Sequence, residues 1–167
     1  VLQEIVTREK TVLGENRVQE LLGKKDEVPG EVDWHLIGHL QSNKIRKILP
    51  HVSTIHSVDS LALARDIDRI AGELKVCPKI LLEVNVGEES SKIGFDQVTL
   101  KQQFSSLKAL ANLEVKGLMC IPPPSEYKGS NRPYFAQLRA LRDELRTTHA
   151  TPLPWLSMGM SEDFEDA

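Results

Sequence analysis

Short apolar runs alternate with longer stretches of helical spacing along almost the whole chain. Residues 1–10 place Leu2, Ile5 and Val6 on one helical face, and Thr11-Val12-Leu13-Gly14 follows as a short extended run. Asn16 is placed to cap a helix that buries Val18, Leu21 and Leu22, with Gln19 at the capping-box position. A polar connection from Gly23 to Gly30 leads to a strand at Trp34–Gly38. Ser42 or Asn43 then opens a helix with Ile45, Ile48 and Leu49 inward, which Pro50 stops. Ser53–Val58 reads as a strand, followed after Asp59 or Ser60 by a helix carrying Leu63, Ile67, Ile70 and Leu74.

The run from Lys79 to Val86 is nearly continuous in apolar residues, as parallel strands covered on both faces tend to be. A polar loop, a helix with Phe104, Leu107 and Leu110, and a strand over Val115–Cys120 come next. Pro133 sits in the first turn of a helix with Phe135, Leu138, Leu141 and Leu145 on one side. Pro154–Met160 is the last predicted strand, with Ser161 as the cap of a helix that the sequence only begins. This alternation predicts a parallel α/β sheet, doubly wound or closed. The polar features fall at the end of each strand, which favours a (β/α)8 TIM-type barrel in a single domain spanning residues 1–167. A complete barrel needs roughly 200–250 residues, so a chain of 167 residues is expected to be an incomplete one.

Composition narrows the partners. Net charge is −3, aromatics make up 5% of residues, and no basic stripe interleaved with aromatics appears, which argues against nucleic acid. No apolar run approaches the roughly 18 residues of a membrane span, and the N-terminus reads as an amphipathic helix, not a signal peptide. Cys77 and Cys120 stand far apart, as reduced thiols of a cytoplasmic protein would.

The predicted strand ends carry Glu15-Asn16, Gly38-His39, His56-Ser57, Asn85, Met119 and Ser157-Met158-Gly159-Met160-Ser161, a set suited to a small polar or phosphorylated ligand. In Leu156–Asp163 a glycine between two methionines precedes Ser161 at a helix start, which offers backbone N–H groups to an anion. The same string is also an ordinary strand–turn–helix capped by Ser161. His35 and His39 in HLIGH lack the glutamate of an HExxH zinc site, so no metal is expected. His56, Ser57 and Asp59 hold the letters of a hydrolase triad, but strand neighbours point to opposite faces. GEESSKIG (87–94) lacks the order of a phosphate-binding P-loop. A lysine that condenses with an aldehyde must point into the site and be desolvated. Lys79 and Lys116 open strands at the wrong end, Lys44 sits on a helix start, and Lys92 sits on a loop near the right face.

Six strings in order, LGENRVQE (13–20), WHLIGHLQSNK (34–44), HSVDS (56–60), VNVGEESSKIGF (84–95), GLMCIPP (117–123) and LSMGMSEDFEDA (156–167), resemble the pyridoxal-phosphate homeostasis proteins (YggS/PROSC-like). That resemblance implies a stand-alone barrel similar to the N-terminal domain of alanine racemase, binding pyridoxal 5′-phosphate (PLP) on a first-strand lysine. It further implies cofactor buffering and delivery, with effects on amino-acid and keto-acid balance, in place of robust catalysis. Apo PLP-dependent enzymes would be the recipients, and a full-length member would be a cytoplasmic monomer. On this resemblance Asn16, His35, Ile37 and Met119 line the cofactor. Ser157, with the backbone at Met158, Gly159 and Ser161, holds its phosphate, and Lys92 is a secondary contact. The family's lysine-bearing first strand and its closing strand with further phosphate contacts would lie before Val1 and after Ala167, so covalent attachment is not expected in this chain. The competing reading is a racemase-like PLP enzyme. It needs a second acid–base group, for which Tyr127 and Tyr134 are the only tyrosines.

Overall fold

The computed structural model describes residues 11–87, 93–124 and 127–167. Six parallel strands form one sheet in strict sequence order. They are β1 (Thr11–Glu15), β2 (Val32–Leu36), β3 (Thr54–Val58), β4 (Lys79–Glu83), β5 (Glu114–Met119) and β6 (Trp155–Ser157). The helices between them are α1 (Val18–Lys24), the single turn α2 (Ile45–Ile48), α3 (Leu61–Leu74), α4 (Gln97–Lys108) and α5 (Arg132–His149). A doubly wound sheet reverses its strand order at a switch point. Among the described residues the order never reverses, which sets the doubly wound alternative aside.

The sheet is curled. Adjacent strands lie about 4.8 Å apart, so β3 and β6 would be about 14 Å apart in a flat sheet. Yet His56 Nδ1 on β3 lies 2.8 Å from Ser157 Oγ on β6, and the Lys79 ammonium on β4 sits 5.4 Å from the centroid of the Trp155 ring on β6. The architecture is a parallel half-barrel with a convex, helix-covered outside and a concave inside. Leu36, Ile55, Ile80, Leu82 and Leu118 turn outward into a core shared with Ile67 and Ile70 of α3, Phe104 of α4 and Leu138 of α5. Residues one step along each strand turn inward.

Most element boundaries follow local chemistry. Ser60 caps α3 by accepting from Leu63 N–H, and Asp96 caps α4 by accepting from Thr99 N–H. Lys75 and Ala150, both left-handed, close α3 and α5. The helix expected over residues 1–10 lies outside the described residues, and several other expectations change: the second strand is Val32–Leu36, not Trp34–Gly38, and the fourth ends at Glu83, not Val86. Arg17, not Asn16, stands at the N-cap of α1, without a side-chain bond. Around Pro50 the chain forms a 3₁₀ turn (Leu49–His51) continuous with α2. The last strand is only Trp155–Ser157, and residues 161–166 form turns where a helix was expected. Among the described residues no helix is long and apolar enough to cross a membrane.

Candidate functional site

Strand alternation and register give the concave face its chemistry. Asp33 and His35 share that face of β2, and Thr54 pairs with His35 and with Lys79 across neighbouring strands. His56, two residues beyond Thr54, falls on the same side. These side chains form a connected line. His35 Nε2 is 3.9 Å from Asp33 Oδ1, His35 Nδ1 is 3.0 Å from His56 Nε2, and His56 Nδ1 is 2.8 Å from Ser157 Oγ. The line runs from the second residue of β2 to the last residue of β6, towards the carboxyl ends of the strands.

Burial keeps both imidazoles neutral. Desolvation, with repulsion from His35, pushes His56 down to about 4. Desolvation also lowers His35, where the Lys79 charge adds to the effect and Asp33 opposes it. Nearer the strand ends the face becomes apolar. Leu81 and Met119 are buried apart from the main core, and the Ile37 side chain fills the space beside Gly14, where a Cβ would meet it at 3.2 Å. Gly38 is required next to this point, because a Cβ there would lie 2.2 Å from the Asn16 carbonyl oxygen. Asn16 itself is exposed at the rim. Also at the rim, Asp59 Oδ2 lies 3.5 Å from His39 Nδ1. Glu83 is half-buried, and desolvation and the Asp59 charge hold its carboxyl above the usual range. Burial, aided by Asp163 and Glu83, pushes the Cys120 thiol up to about 12, leaving it inert.

The turn after β6 is fixed from within. Asp163 is buried and accepts from Met160 N–H at 2.6 Å and from the Asn131 side-chain amide at 2.7 Å. Asp163 and Phe164 in turn donate their N–H groups to the Met160 carbonyl. Met160, not Ser161, is therefore the residue at which the turn is capped. Gly159 takes φ +91°, where a Cβ would lie 2.9 Å from that of Ala167. The N–H groups of Gly159, Ser161 and Glu162 have no acceptor among the described residues. The result is an internally hydrogen-bonded turn that follows directly after the Ser157 hydroxyl.

A model of the alanine racemase N-terminal domain family matches residues 2–167. The Pyridoxal phosphate homeostasis protein of Aquifex aeolicus (strain VF5) is 44% identical over 168 residues, covering 100% of this chain and 74% of that protein. This chain belongs to the alanine racemase N-terminal domain family, among its pyridoxal phosphate homeostasis proteins. Within the family, PipY of Synechococcus elongatus PCC7942, solved with PLP bound, superposes with a TM-score of 0.84 at 41% identity, over 92% of this chain and 73% of that one. An alanine racemase of Clostridium difficile 630, at 17% identity and a TM-score of 0.71 over 86% of this chain and 37% of its own, shares the fold.

Of the residues that the family resemblance singles out, the structure brings His35, Ile37, Met119 and Ser157 onto one face. Asn16 stands at its rim and Gly159 and Ser161 in the adjoining turn. The Met158 side chain packs against the hydrophobic core, so its backbone alone adjoins the site. Lys92 lies outside the described residues. Lys79 does face the concave side, but at the amino end of β4. His39, paired with Asp59, and Glu15, paired with Lys24 on the convex side, take no part. Among the described residues no group of three His, Cys, Asp or Glu is placed to hold a metal. Sequence reasoning placed His56 at a strand end without giving it a role in holding the cofactor, and missed Asp33 altogether. Strand alternation could have put His56 on the face of Thr54, but only the β2–β3 register ties that face to His35.

Proposed function

We propose that this protein binds pyridoxal 5′-phosphate on the concave face, at the carboxyl ends of β1, β2, β5 and β6, and buffers and delivers it without turnover. The observation that carries the reading is the likeness to PipY, whose structure holds PLP, over 92% of this chain. The residues present fit the cofactor. A phosphate monoester seeks hydrogen-bond donors, and Ser157 with the amides of Gly159 and Ser161 offers them in a preformed turn. A flat heteroaromatic ring seeks apolar walls, and Ile37 and Met119 supply them, with His35 behind and Asn16 at the rim. Asp163, within this turn, is buried, and its carboxylate is engaged by the Asn131 side-chain amide and Met160 N–H.

When bound, the cofactor supplies an aldehyde that condenses reversibly with amines. The residues of this chain bind and orient it. A racemase reading would require a second acid–base group over the ring. Tyr134 packs against the core from the first turn of α5, and Tyr127 is exposed in the connection before it; neither supports that role. The recipients would be apo PLP-dependent enzymes, and the setting the cytoplasm, with the protein acting as a monomer.

Titration with PLP, followed by the ligand's absorbance, tests the proposal. Saturable one-to-one binding is expected, weakened about tenfold by Ser157→Ala, the loss of one charge-assisted hydrogen bond. No racemisation of added amino acids should accompany it. An unchanged spectrum, or affinity indifferent to Ser157→Ala and Met119→Asp alike, would overturn the assignment.

A further inference from the structure

The Asp33–His35–His56–Ser157 line crosses three strands, more than is needed to hold one serine. Each neutral imidazole carries one N–H, so the line has two self-consistent directions. In one, Ser157 Oγ–H donates to His56 Nδ1, His56 Nε2–H donates to His35 Nδ1, and His35 Nε2–H faces Asp33. In the other, every bond runs backwards and the bare lone pair of His35 Nε2 faces the carboxylate. From these distances and the position of Asp33, we infer that Asp33 sets the first direction in the empty protein, so that Ser157 meets the cavity with its lone pairs only.

Charges from the neighbouring strands agree with this assignment. Asp33 is the acid beside His35 on β2, and Lys79 of β4 is the cation that reaches it. Lys79 opposes a second proton on His35, so the ring stays neutral and must choose a tautomer. Lys79 does not touch Nε2, so Asp33 makes that choice.

The consequence rests on the PLP reading above. A phosphate dianion has no proton to give, so it binds Ser157 only as a donor. Its arrival therefore reverses the line. The Ser157 proton passes to His56 Nδ1, and Ser157 regains one from water at the cavity mouth. The proton on His56 Nε2 passes to His35 Nδ1, and that on His35 Nε2 leaves to water at the Asp33 end. One proton enters, one leaves, and the charge of the line is unchanged. Asp33, His35 and His56 are thus positioning residues that set the polarity of Ser157, and the occupied state costs the Asp33–His35 attraction.

Nitrogen-15 NMR of the histidine rings distinguishes the two tautomers directly. Without ligand, both rings should carry their proton on Nε2, and saturation with PLP should move both to Nδ1. Asp33→Asn can donate to His35 Nε2. It should therefore populate the reversed line without ligand and bind PLP roughly fivefold more tightly, the equivalent of one modest hydrogen bond. A ligand-free protein with His56 protonated on Nδ1 overturns the inference, as do tautomers that stay put while PLP saturates. If the ligand's absorbance never changes, the PLP reading fails, while the ligand-free spectrum still decides the direction of the line.

Discussion

One sheet presents two faces of opposite character. The convex face puts Leu36, Ile55, Ile80, Leu82 and Leu118 against the helices and holds almost no polar side chain; Ser57 is an exception, and its hydroxyl is satisfied by the Gly38 carbonyl at 2.6 Å. The concave face puts Asp33, His35, His56, Lys79, Glu83 and Ser157 on the same strands. Apolar burial stabilises in proportion to area, whereas half-buried titratable groups gain little and must be paired. Stability should therefore reside on the convex side and ligand chemistry on the concave side.

The largest effect should come from the convex side. Phe104 on α4 is fully buried, with its ring 4.7 Å from that of His149. Phe104→Ala should cost about 3–5 kcal/mol in urea unfolding. A loss below about 1 kcal/mol would mean that the helices contribute less than the sheet. Next is Gly117, which pairs with Trp155 across β5 and β6. A Cβ there would lie 1.9 Å from the Trp155 carbonyl oxygen, which is backbone and cannot yield cheaply. Gly117→Ala should cost about 1–3 kcal/mol and, by parting β5 from β6, displace Ser157 and weaken PLP binding. If stability falls while PLP affinity holds, Ser157 does not depend on the β5–β6 pairing.

The convex face was legible in the sequence and the concave one only in part, for a physical reason. Helix-facing positions announce themselves through period: Leu63, Ile67 and Ile70 repeat at helical spacing, and the Lys79–Val86 run is apolar throughout. Parallel winding follows from that alternation. The concave line joins Asp33, His35, His56 and Ser157 across more than a hundred residues, and it depends on register and curl, which leave no local trace. Ser161 misled because Asp163, three residues after Met160, captures the Met160 amide first. The (β/α)8 expectation holds as far as a six-stranded parallel half-barrel.

A pH titration of stability sharpens the comparison. His56 is near 4 in the folded protein and near 6.5 unfolded, so the unfolded chain binds more protons between these values. Stability should therefore fall as pH drops from about 6.5 to about 4, by up to about 2 kcal/mol once partial exposure is allowed for. His35, also lowered, acts with the same sign. Glu83, raised by burial, acts with the opposite sign, losing stability as pH rises through its folded value. The difference between wild type and His56→Gln isolates the His56 part. Parallel curves for the two would show that the imidazole ionises freely where it stands.

The smallest effect on stability should come from Lys79, and here the faces separate most cleanly. Its ammonium sits over Trp155, a contact worth about 0.5–1 kcal/mol at such a site, and methionine would keep most of the stem's packing. Lys79→Met should thus leave the unfolding midpoint almost unchanged. Its effect should appear at His35 instead. Desolvation is the main cause of that ring's lowered value, Asp33 pulls it up, and Lys79 pushes it down. Without the cation, Asp33 acts unopposed and the His35 titration, followed by ring-proton NMR, should move upward while remaining below its ordinary range. An unmoved titration would mean that the Lys79 charge is spent on Trp155 and on Glu114, whose carboxyl it helps hold down. A large loss of stability would mean that the concave face carries structural weight after all, and the division of labour between the two faces would fail at its own centre.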